Sequence, residues 1–293
     1  MTPNFTTAAD LFGSWFADVE RGEPPIRYRL SEPFDTLDVR PGRMILFGGA
    51  PGGGKTAALM QIGIDLLRGN DAARLLVANV EMTPGLLVDR IAARLAAVPL
   101  ASIADRTLTP GELSRVKAAM QSLEPVAARL AFLQSPYSLE HVAAAGTAFG
   151  ANVLILDYIQ RFSVGEGTDR REQLETAVTV LRRFCDAGAA VLVAAAVARQ
   201  KSNTGSTYRG LNLASFRGSS ELEFGCDTAY NLVPNGADGV NIQCEKNRFG
   251  AVENIATVFD PARMTFTPAP SGLDAFDTAT PAPPMKNSKA KGA

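Results

Sequence analysis

The sequence has few of the residues that build metal clusters and disulfide frameworks. Its 293 residues include one histidine, His141, and three cysteines, Cys185, Cys226 and Cys244, with no CxxC spacing among them. A single histidine excludes a histidine-cluster metal site, and an odd number of dispersed cysteines suggests neither a disulfide framework nor a zinc site. We therefore expect a reducing, cytoplasmic environment.

Aromatic residues, net charge and long apolar runs are also scarce. Aromatics make up 7% of the chain and the formal net charge is −1. These values argue against an extensive base-stacking surface and give no global basic signal for nucleic acid, although a local basic loop is compatible with them. No apolar run approaches the roughly 20 residues of a membrane span, and the N-terminus lacks a positively charged signal region, so no membrane partner is expected.

The most informative stretch is rich in glycine and lies between an apolar run and a helix-like segment. Residues 49–56, GAPGGGKT, fit the pattern G-x-x-x-x-G-K-[ST] without a gap. Glycines let successive backbone N–H groups point at phosphate oxygens, and the following helix N-terminus adds a partial positive charge. The alternative, a glycine-rich turn with an unrelated lysine, does not account for the flanking strand and helix. We predict a nucleotide site formed by Gly49, Pro51, Gly52, Gly53, Gly54, Lys55, Thr56 and Ala57, with Thr56 as a ligand of Mg²⁺.

Alternating apolar runs and helix-like segments predict the fold class. Strands are predicted at 44–47, 75–80, 130–133, 153–156 and 190–196, and strand-like pieces follow at 228–233, 240–245 and 254–259. Helices are predicted between the first five strands, with a helical insertion at 99–125, and the polar stretch 199–217 is interpreted as a loop. This order predicts an α/β fold with a mostly parallel central sheet flanked by helices and antiparallel strands at the C-terminal end.

Three regions follow from composition. Residues 1–25 contain an amphipathic helix, predicted at 6–20, whose apolar residues Leu11, Phe12, Trp15, Phe16 and Val19 share one face. This helix either packs on its own domain or docks on a neighbouring subunit, and the pattern does not distinguish these alternatives. Residues 26–267 are predicted to form the nucleotide-binding domain, and residues 268–293, rich in proline and alanine, are predicted to be a disordered tail.

Two carboxylates follow predicted strands. Asp157 ends an apolar strand, which is the position of an acid that orients Mg²⁺, and Glu81 follows another strand and could polarise the attacking water. The alternatives are a solvated turn residue for Asp157 and a helix cap or surface carboxylate for Glu81.

Several motifs together resemble the C-terminal ATPase domain of the DnaB-type replicative DNA helicases, a RecA-like P-loop NTPase. The resemblance covers roughly residues 30–267, in the family's motif order. Its motifs are GAPGGGKT at 49–56, Glu81-Met82 with Leu87 and Arg90, LDYIQ at 156–160, RGSSELE at 217–223 with Asp227, and EKNRFG at 245–250.

The resemblance implies an ATP-hydrolysing ring, usually a homo-hexamer, that moves on single-stranded DNA. It implies that Glu81 is the catalytic base and that Lys246 and Arg248 act in trans on the neighbour's nucleotide, where the alternative is a strand-end salt bridge. DNA-facing residues of such rings lie on loops. The candidates here, which are otherwise a solvated basic surface, are Arg161, Arg170, Arg171, Lys201, Arg209 and Arg217.

The sequence departs from the family's pattern at one sensor position. The family's fifth strand ends in a glutamine that contacts the γ-phosphate, and Ala196 stands at the matching place unless Gln200 substitutes through a shifted register. Ahead of the ATPase domain, only the helix at 6–20 corresponds to the family's linker helix. These departures favour a second hypothesis, an ATP-dependent switch that regulates assembly or a partner without strand separation. A small-molecule kinase is disfavoured because no acceptor-binding lid is evident.

Overall fold

The computed structural model describes residues 5–163, 170–197, 200–202, 205–207, 220–235 and 239–270. The strands are β1 (Met44–Gly49), β2 (Leu75–Asn79), β3 (Leu130–Phe132), β4 (Val153–Asp157), β5 (Ala190–Ala194), β6 (Gln200–Ser202), β7 (Gly205–Thr207), β8 (Thr228–Asn235), β9 (Gly239–Asn247), β10 (Ile255–Asp260) and β11 (Thr265–Pro268). The helices are α1 (Ala8–Arg21), α2 (Lys55–Gly69), α3 (Pro84–Ala96), α4 (Leu100–Ala104), α5 (Pro110–Gln121), α6 (Glu124–Ala127), α7 (Leu139–Phe149), α8 (Arg170–Asp186) and α9 (Ser220–Gly225), with a 3₁₀ turn at Ile159–Arg161.

The central sheet has nine strands in the order β11-β10-β9-β8-β1-β5-β4-β2-β3. Strands β3, β2, β4, β5, β1 and β8 run parallel, and β9, β10 and β11 add antiparallel neighbours. The predicted α/β class, with a mostly parallel sheet and an antiparallel C-terminal end, is therefore confirmed. Among the described residues, no helix has both the length and the apolar composition needed to cross a bilayer.

The continuous apolar runs form strands because helices cover both faces of the sheet. Every residue of β1 is buried. Ile45 and Phe47 belong to one core cluster, whereas Met44 and Leu46 belong to the cluster on the opposite face. Alternate side chains of one strand thus fill two cores, as expected for a strand buried on both sides.

The predicted helical insertion is present as α4, α5 and α6. Thr109 and Glu112 form the expected capping box at the start of α5, in which each side chain accepts a hydrogen bond from the other's backbone N–H. A small apolar cluster joins the insertion to α3. The insertion is therefore packed against α3.

Helix α1 differs from the other long helices in having no buried residue. Its apolar residues Leu11, Phe12, Trp15, Phe16 and Val19 are 52–58% exposed. Within the described part of the chain, α1 therefore does not bury its apolar face on its own domain. The helix begins with a capping box between Thr7 and Asp10 and ends at Gly22 in the left-handed conformation.

Two short structures were not predicted. Within residues 199–217, interpreted as a loop, β6 and β7 pair antiparallel as a small separate ribbon. The last strand, β11, ends at Pro268, the first residue of the predicted tail, and pairs with β10; Phe266 of β11 is buried. A strand of four residues with one buried aromatic side chain carries too little periodicity to be recognised in sequence. The rest of the predicted tail, residues 271–293, lies outside the described residues.

Candidate nucleotide-binding site

A cavity of about 530 Å³ lies at the carboxyl ends of the parallel strands, beside the glycine-rich loop. Ligands of such sheets bind at this edge. One side of the cavity is formed by the loop and the start of α2: Gly49, Pro51, Gly52, Gly54, Lys55, Thr56 and Ala57. The rest of its lining comes from other parts of the chain: Glu81, Met82, Arg90, Asp157, Tyr158, Ala196, Val197, Phe259, Pro261 and Met264. The cavity therefore brings together residues from distant parts of the chain.

Gly54, the residue before α2, is required to be glycine for two reasons. Its φ is +86°, in the left-handed region that side chains disfavour. A Cβ atom at Gly54 would lie 2.8 Å from Cζ of Phe266. The buried aromatic side chain of β11 thus packs directly under the phosphate-binding loop.

Lys55 is held by the loop itself. Its Nζ donates to the carbonyl oxygens of Gly49 and Ala50, both at 2.9 Å. Burial lowers the pKa of Lys55, while the carboxylates of Asp157 and Glu81 act in the opposite direction. These contacts place an ammonium group at the loop, where a nucleotide phosphate would be a stronger, charged acceptor.

Asp157 is buried at the end of β4 and is held by two polar neighbours. Its Oδ2 accepts hydrogen bonds from the Thr56 hydroxyl at 2.5 Å and from Nδ2 of Asn79 at 2.9 Å. Burial raises the pKa of Asp157, and the Thr56 hydrogen bond and the Lys55 charge oppose that rise. The predicted acid and the predicted hydroxyl ligand are therefore in direct contact.

The chemistry of this pair fits Mg²⁺. A hydroxyl and a carboxylate are hard oxygen donors, and Mg²⁺ bound with a nucleotide takes few protein ligands because phosphates and waters supply the rest. Among the described residues, no group of three or more His, Cys, Asp or Glu side chains could hold a metal ion by itself. Thr56 and Asp157 would thus hold the ion together with nucleotide phosphates.

Asn79 is a site residue that the sequence analysis missed. Besides contacting Asp157, its Oδ1 accepts hydrogen bonds from the backbone N–H groups of Glu81 and Met82, at 2.9 and 2.8 Å. The amide thereby fixes the turn that presents Glu81, whose side chain is exposed on the cavity wall. The cap of α3 is Thr83 rather than Glu81. The one signal in sequence was a polar residue ending an otherwise apolar run.

A second part of the cavity lining, the Phe259 wall (Phe259, Pro261 and Met264), is apolar and lies beside the cation Arg90, and it was also not predicted. Phe259 stacks on Phe266 with ring centroids 4.4 Å apart, and Pro261 and Met264 lie beside it. Arg90 donates to Sδ of Met264 at 3.1 Å, and burial lowers the pKa of Arg90. A flat ring can be bound here by stacking and by the guanidinium.

Ala196, which stands in sequence where the resembled family has a glutamine, lines the cavity. Its backbone N–H donates to Oε1 of Gln160 at 3.1 Å, and Nε2 of Gln160 donates back to the Ala196 carbonyl at 3.2 Å. The glutamine of the LDYIQ motif therefore ties the end of β5 to the segment that follows Asp157. The alternative sensor Gln200 lies in β6, and its side chain is outside the described residues.

Lys246 and Arg248 lie at the amino ends of the parallel strands, opposite to the cavity. Asn247 of β9 pairs with Thr228, which pairs in turn with Ile45 near the start of β1. The glycine-rich loop follows the other end of β1, so these two cations are remote from their own chain's cavity. Nζ of Lys246 donates to the carbonyls of Glu223 and Cys226 at 2.6 and 2.8 Å, and Arg248 forms an ion pair with buried Asp227 at 2.9 Å.

The structure does not gather the predicted DNA-binding residues into one described surface. Arg161 is exposed in the 3₁₀ turn that follows β4. Arg170 and Arg171 begin α8 and Lys201 lies in β6, but the description covers only their backbone. Arg209 and Arg217 lie outside the described residues.

Comparison with known proteins agrees with this geometry. A family model described as "DnaB-like helicase C terminal domain" matches residues 34–268. Among solved structures, one titled as an ATPase domain aligns with a TM-score of 0.78 and 15% identity, covering 91% of this chain and 100% of that one. A structure titled "The Structure Of A DnaB-Like Replicative Helicase And Its Interactions With Primase" aligns with a TM-score of 0.75 and 15% identity, covering 90% of this chain and 67% of that one. The search of curated proteins finds no match. At this identity, the structural similarities establish the fold alone.

Proposed function

We propose, from the premise that the chain belongs to the family of DnaB-like helicase C-terminal domains, that it is an ATP-hydrolysing subunit of a ring that moves on single-stranded DNA. Membership of the family implies NTP hydrolysis. The finer assignment to a homo-oligomeric ring, most simply a hexamer, with ATP at the subunit interfaces, is our proposal.

The cavity supplies the parts that phosphoryl transfer to water requires. In our assignment, the loop N–H groups and Lys55 bind the phosphates, and Thr56 and Asp157 hold Mg²⁺, which when bound would neutralise charge on the phosphate oxygens. Glu81 accepts the proton of a water that attacks the γ-phosphorus, and the bond to the bridging oxygen of ADP breaks. The Phe259 wall and Arg90 receive the base. The exposed Glu81 carboxylate lines the same cavity as Asp157, which is compatible with this role.

The observation that carries the proposal is the separation of the charged groups between two ends of one sheet. Lys246 and Arg248 lie level with the start of β1, whereas the phosphate-binding loop follows its end. A strand rises about 3.3 Å per residue, so the six residues of β1 separate the two sets by roughly 15–20 Å. These cations cannot reach their own nucleotide without unfolding the strand, which favours action on a neighbouring subunit.

Helix α1 supports assembly from a different part of the chain. Five apolar side chains on one face of an isolated helix form the kind of exposed patch that marks a protein interface. We propose that α1 docks on an adjacent subunit of the same ring. The basic residues Arg161, Arg170, Arg171, Lys201, Arg209 and Arg217 remain our candidates for phosphate contacts that do not depend on DNA sequence.

The first test is the ATPase rate of wild type and of Glu81→Gln, each with and without single-stranded DNA. We expect DNA to stimulate the wild type severalfold and the variant to lose at least a hundredfold in kcat, because the water loses its base while the amide keeps the side chain's shape. Glu124→Gln, on exposed α6, is the matched control and should leave the rate unchanged. A rate indifferent to DNA would contradict the translocase assignment.

A second candidate function is favoured by Ala196. Its methyl group cannot donate a hydrogen bond to a phosphate, although the residue lines the cavity. A chain with this feature could use ATP as a switch that regulates assembly or a partner, without separating strands. Unwinding of a forked DNA substrate distinguishes the two functions: strand displacement that depends on Glu81 supports the motor, and DNA-independent assembly controlled by ATP supports the switch.

A further inference from the structure

We propose that Asp227 is the positioning residue of Arg248, so that a buried carboxylate in one subunit sets the geometry of the cation offered to the next subunit's nucleotide. The inference rests on the proposed function, in which Arg248 acts in trans. Asp227 follows α9, immediately before β8, and has 0% of its surface exposed. A carboxylate in such a place persists only when its oxygens are paired.

The two oxygens of Asp227 have different partners. Oδ2 accepts hydrogen bonds from Nη1 of Arg182 at 2.6 Å and from the backbone N–H of Met44 at 2.9 Å. Oδ1 accepts from Nη1 of Arg248 at 2.9 Å. One oxygen therefore anchors the aspartate to α8 and to the start of β1, and the other fixes the arginine.

Arg248 is held at further points but is not enclosed. Its Nη2 donates to the carbonyl of Phe224 at 3.3 Å, and its backbone N–H donates to the carbonyl of Asp227 at 2.9 Å. Arginine has five N–H donors, so these contacts use only part of its capacity, and 46% of the side chain remains exposed. The guanidinium is thus oriented from the inside and accessible from the outside.

The loop around Arg248 is fixed as well. The guanidinium of Arg43 lies 3.9 Å from the ring centroid of Phe249, and Arg43 is paired with Asp38. On the other side, the Lys246 ammonium donates to carbonyls of the segment that leads into Asp227. Phe249 and Lys246, which flank Arg248 in the chain, are therefore both bound to their own subunit. This arrangement suits a cation that must keep a constant position.

These contacts allow the positioning role to be separated from a merely structural one. Arg182 and Arg248 bind different oxygens of the same carboxylate, so the removal of Arg182 takes one partner from Oδ2 while the Met44 N–H still holds that oxygen and Oδ1 still accepts from Arg248. Misplacement of a catalytic group by about 1 Å can lower a rate about a hundredfold. If Asp227 only positions Arg248, its substitution should lower kcat when Arg248 is present and should have no further effect on kcat when Arg248 is absent.

The experiment compares the full chain with Arg248→Ala, Asp227→Asn, Arg182→Gln and the double variant Asp227→Asn/Arg248→Ala. DNA-stimulated kcat and KM for ATP are measured together with thermal melting. We expect Arg248→Ala to lower kcat at least tenfold with KM within twofold, and Asp227→Asn to lower kcat at least fivefold. Arg182→Gln should stay within twofold of wild type, and the double variant should equal Arg248→Ala alone.

A mixing assay adds a readout that a structural defect would not move. Glu81→Gln subunits cannot hydrolyse ATP but carry an intact Arg248, so mixing them with Asp227→Asn subunits should raise the rate per Asp227→Asn subunit at least twofold. If Asp227→Asn does not fold, Asp227→Asn/Arg182→Gln also replaces the guanidinium that has lost its carboxylate partner at Asp227, and the same comparisons are made in that background.

The outcomes separate the two proposals. An unchanged kcat in Arg248→Ala overturns both the trans cation and its positioning. A loss in Arg248→Ala with a normal rate in Asp227→Asn overturns the positioning role alone. A double variant slower than Arg248→Ala, or no gain on mixing, means that Asp227 only stabilises the fold, and this also overturns the inference.

Discussion

The two ends of the central sheet hold their charged groups in different ways. At the carboxyl end, Lys55 and Asp157 border an open cavity, and their partners are loop carbonyls, a hydroxyl and an amide. At the amino end, Arg248 is paired with a carboxylate that has no exposed surface, and Lys246 donates to backbone carbonyls. The first set surrounds space for a ligand, whereas the second is fixed to its own subunit and partly faces outward.

In our proposal, this difference explains why one chain holds the phosphate-binding groups but needs a second copy for hydrolysis. A transferring phosphoryl group needs positive charge around it, and in our proposal the sheet places that charge where only a second copy can use it. The contrast can be tested in three ways. The phosphate-binding lysine can be removed, the subunits can be dissociated, and the hydrogen bonds that hold Ala196 at the cavity can be removed.

The largest effect should come from disabling the carboxyl end with Lys55→Ala. We expect ATP binding to weaken and kcat to fall at least a hundredfold, because the loop loses the cation that its carbonyls place beside the phosphates. Lys117→Ala, on the exposed face of α5, is the matched control. Steady-state ATPase and fluorescent-nucleotide titration measure both quantities. Normal nucleotide affinity in Lys55→Ala would mean that the cavity is not the binding site.

Separating the subunits should have the next largest effect. Trp15→Glu places a charge in the apolar face of α1, and we expect loss of the oligomer with at least a tenfold lower ATPase rate, because each cavity then lacks its neighbour's Arg248. Melting of the domain should change by less than about 2 °C, since α1 buries no residue in its own chain. Light scattering coupled to size exclusion reports the assembly.

The control for this substitution lies on the same helix. Ala17 is exposed and lies about 160–180° around the helix from the centre of the apolar face, by the turn of 3.6 residues. Ala17→Glu therefore adds the same charge on the opposite face, two residues along the same helix, and should leave the oligomer intact. Loss of assembly in both variants would indicate a general effect of charge and would remove the argument for a docking face.

The comparison of the two ends also shows what sequence could and could not predict. The carboxyl end was largely predictable because its residues lie in contiguous motifs at strand ends: GAPGGGKT, and Asp157 after an apolar run. Topology then brings such strand ends to one edge. The parallel strands and the antiparallel C-terminal end were predictable from the apolar runs and the turn residues between them.

The supports of both ends were not predictable because they are long-range and polar. Asn79 contacts Asp157 across 78 positions, and Asp227 joins Met44, Arg182 and Arg248 across 183, 45 and 21 positions. The Phe259 wall reaches the loop only after β10 and β11 have been placed. No periodicity or local spacing encodes these pairs, since their partners are chosen by packing rather than by neighbouring sequence.

The smallest effect should come from altering the support of Ala196. Gln160→Met keeps a side chain of similar length but removes both hydrogen bonds to the Ala196 backbone, which then leaves a donor and an acceptor without these partners. A fully buried unsatisfied group costs about 1–3 kcal/mol, and because Ala196 is only half-buried we expect a melting shift at the low end of that range, about 2–4 °C in a domain of this size. We expect DNA-stimulated ATPase to fall about three- to tenfold and basal ATPase to fall less, because the end of β5 leads from the cavity into the segment with the DNA-binding candidates. Gln121→Met, exposed on α5, is the control. An equal fall in basal and stimulated rates would show that Gln160 supports only the cavity. It would contradict a role for Gln160 in connecting the cavity to the DNA-binding candidates.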